Sequence, residues 1–230
     1  MPPRNRQNPL VREFILRNVA EHPGNISSLA AKQFGLSRVA ITRYAKRLIE
    51  EGLLTATGKT RARRYALKNT VNLRFRITEI TRHSDEDVIW RFRILPEIRN
   101  LDQNIVDLCH YGFTEMYNNV IDHSLSDDAI VSFQQNYCKV TMRIIDNGIG
   151  IFEKIQKDFN LSDPRSALLE LSKGKLTSDK ERHSGWGIYF TSRMFDLFQI
   201  DSGDLFYSRE RERDDDWLIE TGDIGRHVNG

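Results

Sequence analysis

The sequence predicts an α+β protein in two parts: a basic front of three helices and a short hairpin over residues 1–68, then an acidic mixture of strands and helices over 72–230. The charge division predicts the two parts. Residues 1–68 hold 14 Lys and Arg against 4 Asp and Glu, a surplus of +10, and the remaining residues hold 20 against 28, a deficit of −8. The apolar spacing follows a helical period as far as Gly52, and from Val71 it alternates as in a strand. Glycines and prolines separate these segments at intervals that suit short elements.

A chain of 230 residues suffices for one large domain or two small ones. No apolar run has the length of a membrane span, and the opening MPPRNRQNPL lacks the apolar core of a secretory signal. Cys109 and Cys138 have neither metal-ligand spacing nor a disulfide framework. The expectation is a cytoplasmic protein with no membrane partner.

In the front part, PLVREFILRNVAEH (9–22) places Val11, Phe14, Ile15, Leu16 and Val19 with helical spacing and ends at Pro23-Gly24. Ser27 or Ser28 is expected to cap a second helix, LAAKQF. Gly35 makes a turn, Ser37 caps again, and RVAITRYAKRLIEEG runs to Gly52. LLTATGKTRARRYAL then gives two strand-like pieces around Gly58-Lys59. These residues resemble the winged helix-turn-helix domains of bacterial transcription regulators. The resemblance implies that DNA is the partner of residues 1–68. Val39, Leu48 and Ile49 are expected in the core, and Arg38, Thr42, Arg43 and Lys46 face a major groove. Arg61, Arg63 and Arg64, in the wing, meet phosphates or a minor groove. The competing reading is a winged helix that docks a protein; the +10 surplus favours DNA. GLLTATGKT looks like a phosphate-binding P-loop but has five residues between its glycines where four are required, and it falls in the expected wing.

In the back part, VNLRFRITEI alternates as a strand, and a stretch with Trp90 and Pro96 leads to a long helix over roughly residues 100–123. That helix carries Glu115, Asn119 and His123 four residues apart, on one stripe bordered by Val106, Cys109, Phe113, Met116 and Val120. AIVSFQQNYCKVTMRIIDNGIGI reads as two neighbouring strands. The second ends in Asp146-Asn147-Gly148-Ile149-Gly150, a carboxylate followed by two alternate glycines. After a charged stretch (151–183), Ser184-Gly185-Trp186-Gly187 opens another helix, whose free N–H groups suit phosphate. Its apolar positions are Ile188, Phe190, Met194, Phe195 and Phe198.

In this order the motifs resemble the GHKL superfamily of Bergerat-fold ATPases, which includes gyrase B, histidine kinases and anti-sigma-factor kinases. The resemblance covers about residues 72–230 and implies an α/β-sandwich ATP-binding fold with ATP and Mg²⁺ as cofactors. By the resemblance, Glu115 is the general base, Asn119 the Mg²⁺ ligand, and Asp146 the acceptor for the adenine amino group, in a pocket shaped by Gly148 and Gly150. Residues 151–183 would be the lid, with Lys173, Lys175, Lys180 and Arg182 available to phosphates, and Ser184, Gly185 and Gly187 closing on the phosphate tail. His123 either contacts the lid or closes the helix end.

There are departures. No dimerising helical hairpin with an acceptor histidine precedes this part, and His83 has no amphipathic helix around it, which argues against a sensor histidine kinase. The sequence ends at Gly230, where the superfamily begins a last Gly-Thr strand, and two expectations stand side by side: a trimmed chain with a further domain downstream, or an incomplete adenine pocket. Three functions fit: a transcription regulator in which Mg-ATP modulates DNA binding, a serine/threonine protein kinase resembling the anti-sigma-factor kinases, or a nucleotide-binding module without turnover. A regulatory protein partner and a homodimer are compatible with each.

Overall fold

The computed structural model describes residues 8–81, 84–163, 165–166, 187–212 and 215–220, the last group through its backbone. The fold is mixed helix and strand with small antiparallel sheets. The chain forms two compact units, 1–73 with 132–141, and 74–131 with 142–230.

In the first unit, helix α1 (Pro9–Asn18) starts where the Asn8 side chain accepts the Leu10 N–H and where proline occupies the first helical position, at which no N–H is needed. It ends at Asn18, earlier than the spacing predicts. The following turn is closed by the His22 N–H on the Asn18 carbonyl at 3.0 Å. Helix α2 (Ile26–Phe34) begins after Asn25, so Ser27 and Ser28 lie inside its first turn rather than capping it. Gly35 takes the left-handed conformation (φ 63°), which lets the Leu36 N–H bond the Ala31 carbonyl at 3.0 Å. Helix α3 (Arg38–Glu50) is capped by Ser37, whose hydroxyl accepts the Ala40 N–H at 3.1 Å.

Strands β1 (Leu54–Thr57) and β2 (Arg64–Leu67) pair antiparallel, with Leu54 opposite Leu67 and Thr57 opposite Arg64. The Tyr65 N–H reaches the Pro23 carbonyl at 2.9 Å and ties this hairpin to the α1–α2 connection. Val11, Ile15, Ile26, Ile41, Leu48, Leu54 and Tyr65 belong to one buried cluster, so all three helices and the hairpin share a core. Segment 132–141 belongs to the same unit: the Cys138 thiol donates to the Leu16 carbonyl at 3.4 Å.

Strands β3 (Val71–Thr78), β4 (Asp128–Gln135) and β5 (Val140–Asp146) form a sheet in that order. In the second unit, Asp85 caps helix α4 (Glu86–Ile89), accepting from the Asp87 and Val88 N–H groups. The helix widens to a π-turn over Trp90–Ile94 before α5 (Leu95–Ile98), and the Leu95 N–H bonds five residues back to the Trp90 carbonyl. Pro96 explains the widening. It has no N–H for the Phe92 carbonyl, and its ring crowds that oxygen.

Helix α6 (Gln103–Asn119) continues as a π-turn over Val120–Ser124. Helix α7 (Ile151–Asp158) occupies the start of the stretch expected as a lid, because Phe152 and Ile155 form an apolar face that is buried. Helix α8 (Gly187–Met194) leads into an antiparallel meander of β6 (Leu197–Ser202), β7 (Leu205–Glu210) and β8 (Asp215–Glu220). Phe152, Ile155, Ile188, Phe198, Leu205 and Tyr207 form a second core cluster.

Candidate functional site

Helix α6 organises the second unit, packing against both α4 and α8. Val106, Cys109, Phe113 and Tyr117 are buried along one face, with the Phe113 and Tyr117 rings stacked 5.5 Å apart. Glu115 and Asn119 flank this face and are half-buried. The four-residue spacing alone favours a solvated stripe, and the structure instead makes it a partly desolvated edge because its helix face is flanked by buried side chains. At Gly112 a Cβ would come 2.7 Å from the Phe195 ring, so a larger residue there would hold Phe195 away from α6.

The Glu115 carboxylate lies against Gly187, the first residue of α8; a Cβ on that glycine would overlap Oε2. A carboxylate beside a helix N-terminus is electrostatically favoured by the positive end of the dipole. One turn before Glu115, the Tyr111 phenol has its pKa raised by burial, and further by the charge of Glu115 and a hydrogen bond to it. Thus Glu115 is approached from its own helix by Tyr111 and from α8 by Gly187. The Asn119 amide Nδ2 points at the Met116 sulfur, 3.9 Å away.

The end of α6 meets the Asp146–Gly150 turn. The Ile149 N–H donates to the Ser124 carbonyl at 2.7 Å, and a Cβ on Gly148 would collide with that carbonyl. Only glycine permits this approach. The Gly148 N–H donates to Asp146 Oδ1 at 2.9 Å, closing an Asx turn that fixes the carboxylate at the strand end. Gly150 adopts φ 86° ahead of α7, with the Ser202 hydroxyl where a Cβ would stand. His123 lies half-buried in the π-turn.

The structure therefore brings Glu115 to Gly187 and the end of α6 to Gly148. Lys173, Lys175, Lys180, Arg182, Ser184 and Gly185 lie outside the described residues, as do His83 and 221–230. Sequence reasoning missed Tyr111, Ser124 and Ser202. Of these, Tyr111 was legible from its i,i+4 spacing to Glu115. It also missed the pair formed by His110 Nε2 and Asp87 Oδ1 at 3.1 Å, over which the Trp90 ring stacks on His110 at 4.7 Å.

Among the described residues no three His, Cys, Asp or Glu side chains group as a metal cage. Mg²⁺ delivered by a triphosphate needs only one or two protein oxygens, and the Asn119 carboxamide, with its nitrogen turned to Met116, fits that requirement.

In the first unit, Arg38, Thr42, Arg43 and Lys46 are exposed on α3, and Arg61, Arg63 and Arg64 are exposed on the hairpin. Thr42 donates its hydroxyl to the Arg38 carbonyl at 2.9 Å, and Lys46 pairs with Glu50 at 3.7 Å. Arg63 lies 5.5 Å over the Tyr65 ring. Leu48 is buried and Ile49 half-buried, but Val39, expected in the core, is 65% exposed. The inward face of α3 is already taken by Ile41, Ala45 and Leu48, and Val39 falls on the opposite side.

No family model, curated protein or solved structure matches this chain.

Proposed function

We propose that the chain is a regulator in which Mg-ATP, bound by the second unit, modulates DNA binding by the first. The observation that carries the nucleotide half is the meeting of distant segments on α6: Glu115 against Gly187, and Ser124 against Gly148 beside Asp146. In this reading Asp146 and its glycine turn receive the adenine, Asn119 holds Mg²⁺ among the phosphates, and the α8 N-terminus faces the phosphate tail. Mg-ATP supplies the phosphoanhydride that a base could direct a nucleophile against. In the same reading Glu115, one turn from Asn119, takes the nucleophile's proton.

The DNA half is supported by the cations exposed on α3 and the wing. Coupling requires only that the nucleotide-bound state differ in its affinity for DNA.

The half-buried Glu115 favours a second reading, a serine/threonine protein kinase with a protein hydroxyl as acceptor. Calorimetric titration of ATP with and without Mg²⁺, beside Asp146→Ala, tests the nucleotide half. Mg²⁺-dependent binding that the variant loses is the expected result; binding that survives in the variant removes Asp146 from the site. Salt-sensitive DNA binding that ATP shifts supports regulation, and phosphate transfer to a protein supports the kinase. Arg43→Ala is expected to weaken DNA binding and leave ATP binding unchanged. Unaltered DNA affinity in that variant would indicate that the first unit docks proteins.

A further inference from the structure

We infer that Val39 is a specificity-determining residue that reads the C5-methyl group of a thymine in the major groove. The inference rests on the proposed DNA binding by the first unit and names the base feature that this surface recognises.

Helix α3 has two opposed stripes with identical spacing. Ile41, Ala45 and Leu48 point inward and are buried. Val39, Arg43 and Lys46, at i, i+4 and i+7, lie on the other side and are exposed. Val39 is thus an apolar residue, 65% exposed, at the head of a cationic stripe, with Arg38 beside it. Among the described residues, Val39 is neither in the first-unit core nor packed against it.

The position matters as much as the exposure. Val39 is the second residue of the helix, two after the Ser37 cap, and the first residues of a groove-inserted helix are those that reach base edges. The Ser37 hydroxyl accepts from Ala40, which fixes the helix start and therefore the direction of the Val39 side chain. Around Val39 the cations are suited to phosphates and guanine edges, which accept hydrogen bonds. A branched hydrocarbon has no such partner. The one apolar feature on the major-groove edge of a base pair is the thymine methyl.

The test uses the whole 230-residue chain and a pool of randomised DNA duplexes, with and without Mg-ATP. Duplexes enriched by the unaltered chain are remade with uracil in place of thymine, one position at a time, which deletes only the methyl group. One position is expected to lose affinity about fourfold on replacement, the worth of one buried methyl at about 0.8 kcal/mol. Val39→Ala is expected to bind the thymine duplex correspondingly more weakly and to lose that discrimination. Because the side chain is exposed, this variant should unfold at the same temperature as the parent, and a thermal melt checks it. Indifference of the unaltered chain to uracil at every position overturns the inference while leaving DNA binding intact. So does a Val39→Ala variant that still discriminates. Failure to enrich any duplex sinks the DNA reading itself, and with it the role of Val39.

Discussion

At the scale of single residues, the second unit depends on side chains that touch backbone or glycine. Gly148 faces the Ser124 carbonyl with no room for a Cβ, so Gly148→Ala should displace the turn from α6 and cost about 1–3 kcal/mol. Denaturant unfolding would measure the loss, and ATP titration of the same variant would report whether the Asp146 carboxylate has moved with the turn. Glu115→Ala should keep ATP binding and lose hydrolysis; unchanged turnover would take Glu115 out of the mechanism. Asn119→Ala should abolish Mg²⁺-dependent binding without altering the circular dichroism spectrum. Burial pushes the Cys109 thiol from 9.0 to about 11. Below 9.0 both folded and unfolded chains hold that proton. Between 9.0 and about 11 the unfolded thiol ionises first, so stability falls across this window as pH rises. The alkaline loss should be smaller in Cys109→Ala, as read from unfolding curves at about pH 8 and about pH 10.

At the scale of elements, the first unit is the more legible because each of its signals is local. Gly35 and Ser37 punctuate α2 and α3, and the strand pieces on either side of Gly58-Lys59 pair as a hairpin. Ser37→Ala should therefore cost about 1 kcal/mol through the lost cap, measured by thermal or denaturant unfolding. Val39 misleads because apolar character alone suggests burial, whereas its phase relative to Ile41, Ala45 and Leu48 puts it outside. In the second unit the stripe of Glu115 and Asn119 is visible in its four-residue spacing. Apart from Tyr111, on the same helix, the partners that give it meaning are not. Gly187 lies far along the chain, and no local pattern tells that Glu115 occupies the space where its Cβ would stand. The π-turn at Trp90–Ile94 follows from Pro96, but one proline is equally consistent with a broken helix, so only packing decides between them. Helix α7 is hard to see in the sequence because its charged residues outweigh Phe152 and Ile155, the two that fix it.

At the scale of the whole molecule, the proposed function predicts that the two halves respond differently to salt. DNA affinity should fall steeply with salt concentration, and replacing Arg61 or Arg63 with alanine should lower the magnitude of that slope by about one for each phosphate no longer neutralised. ATP binding should respond much less, since a half-buried site is screened less than an exposed one. The composition of the first unit has its own consequence. It is made of 1–73 and 132–141, so the polypeptide leaves it and returns after 58 residues. During synthesis the ribosome releases the three helices and the hairpin well before the segment bearing Cys138, which donates to Leu16, has been translated. An early nascent chain therefore lacks part of its own unit, and closing the loop between 73 and 132 adds an entropic cost that a self-contained N-terminal domain would avoid. A ribosome-bound chain arrested before residue 132 should accordingly resist protease less well than one arrested after 141 has cleared the exit tunnel.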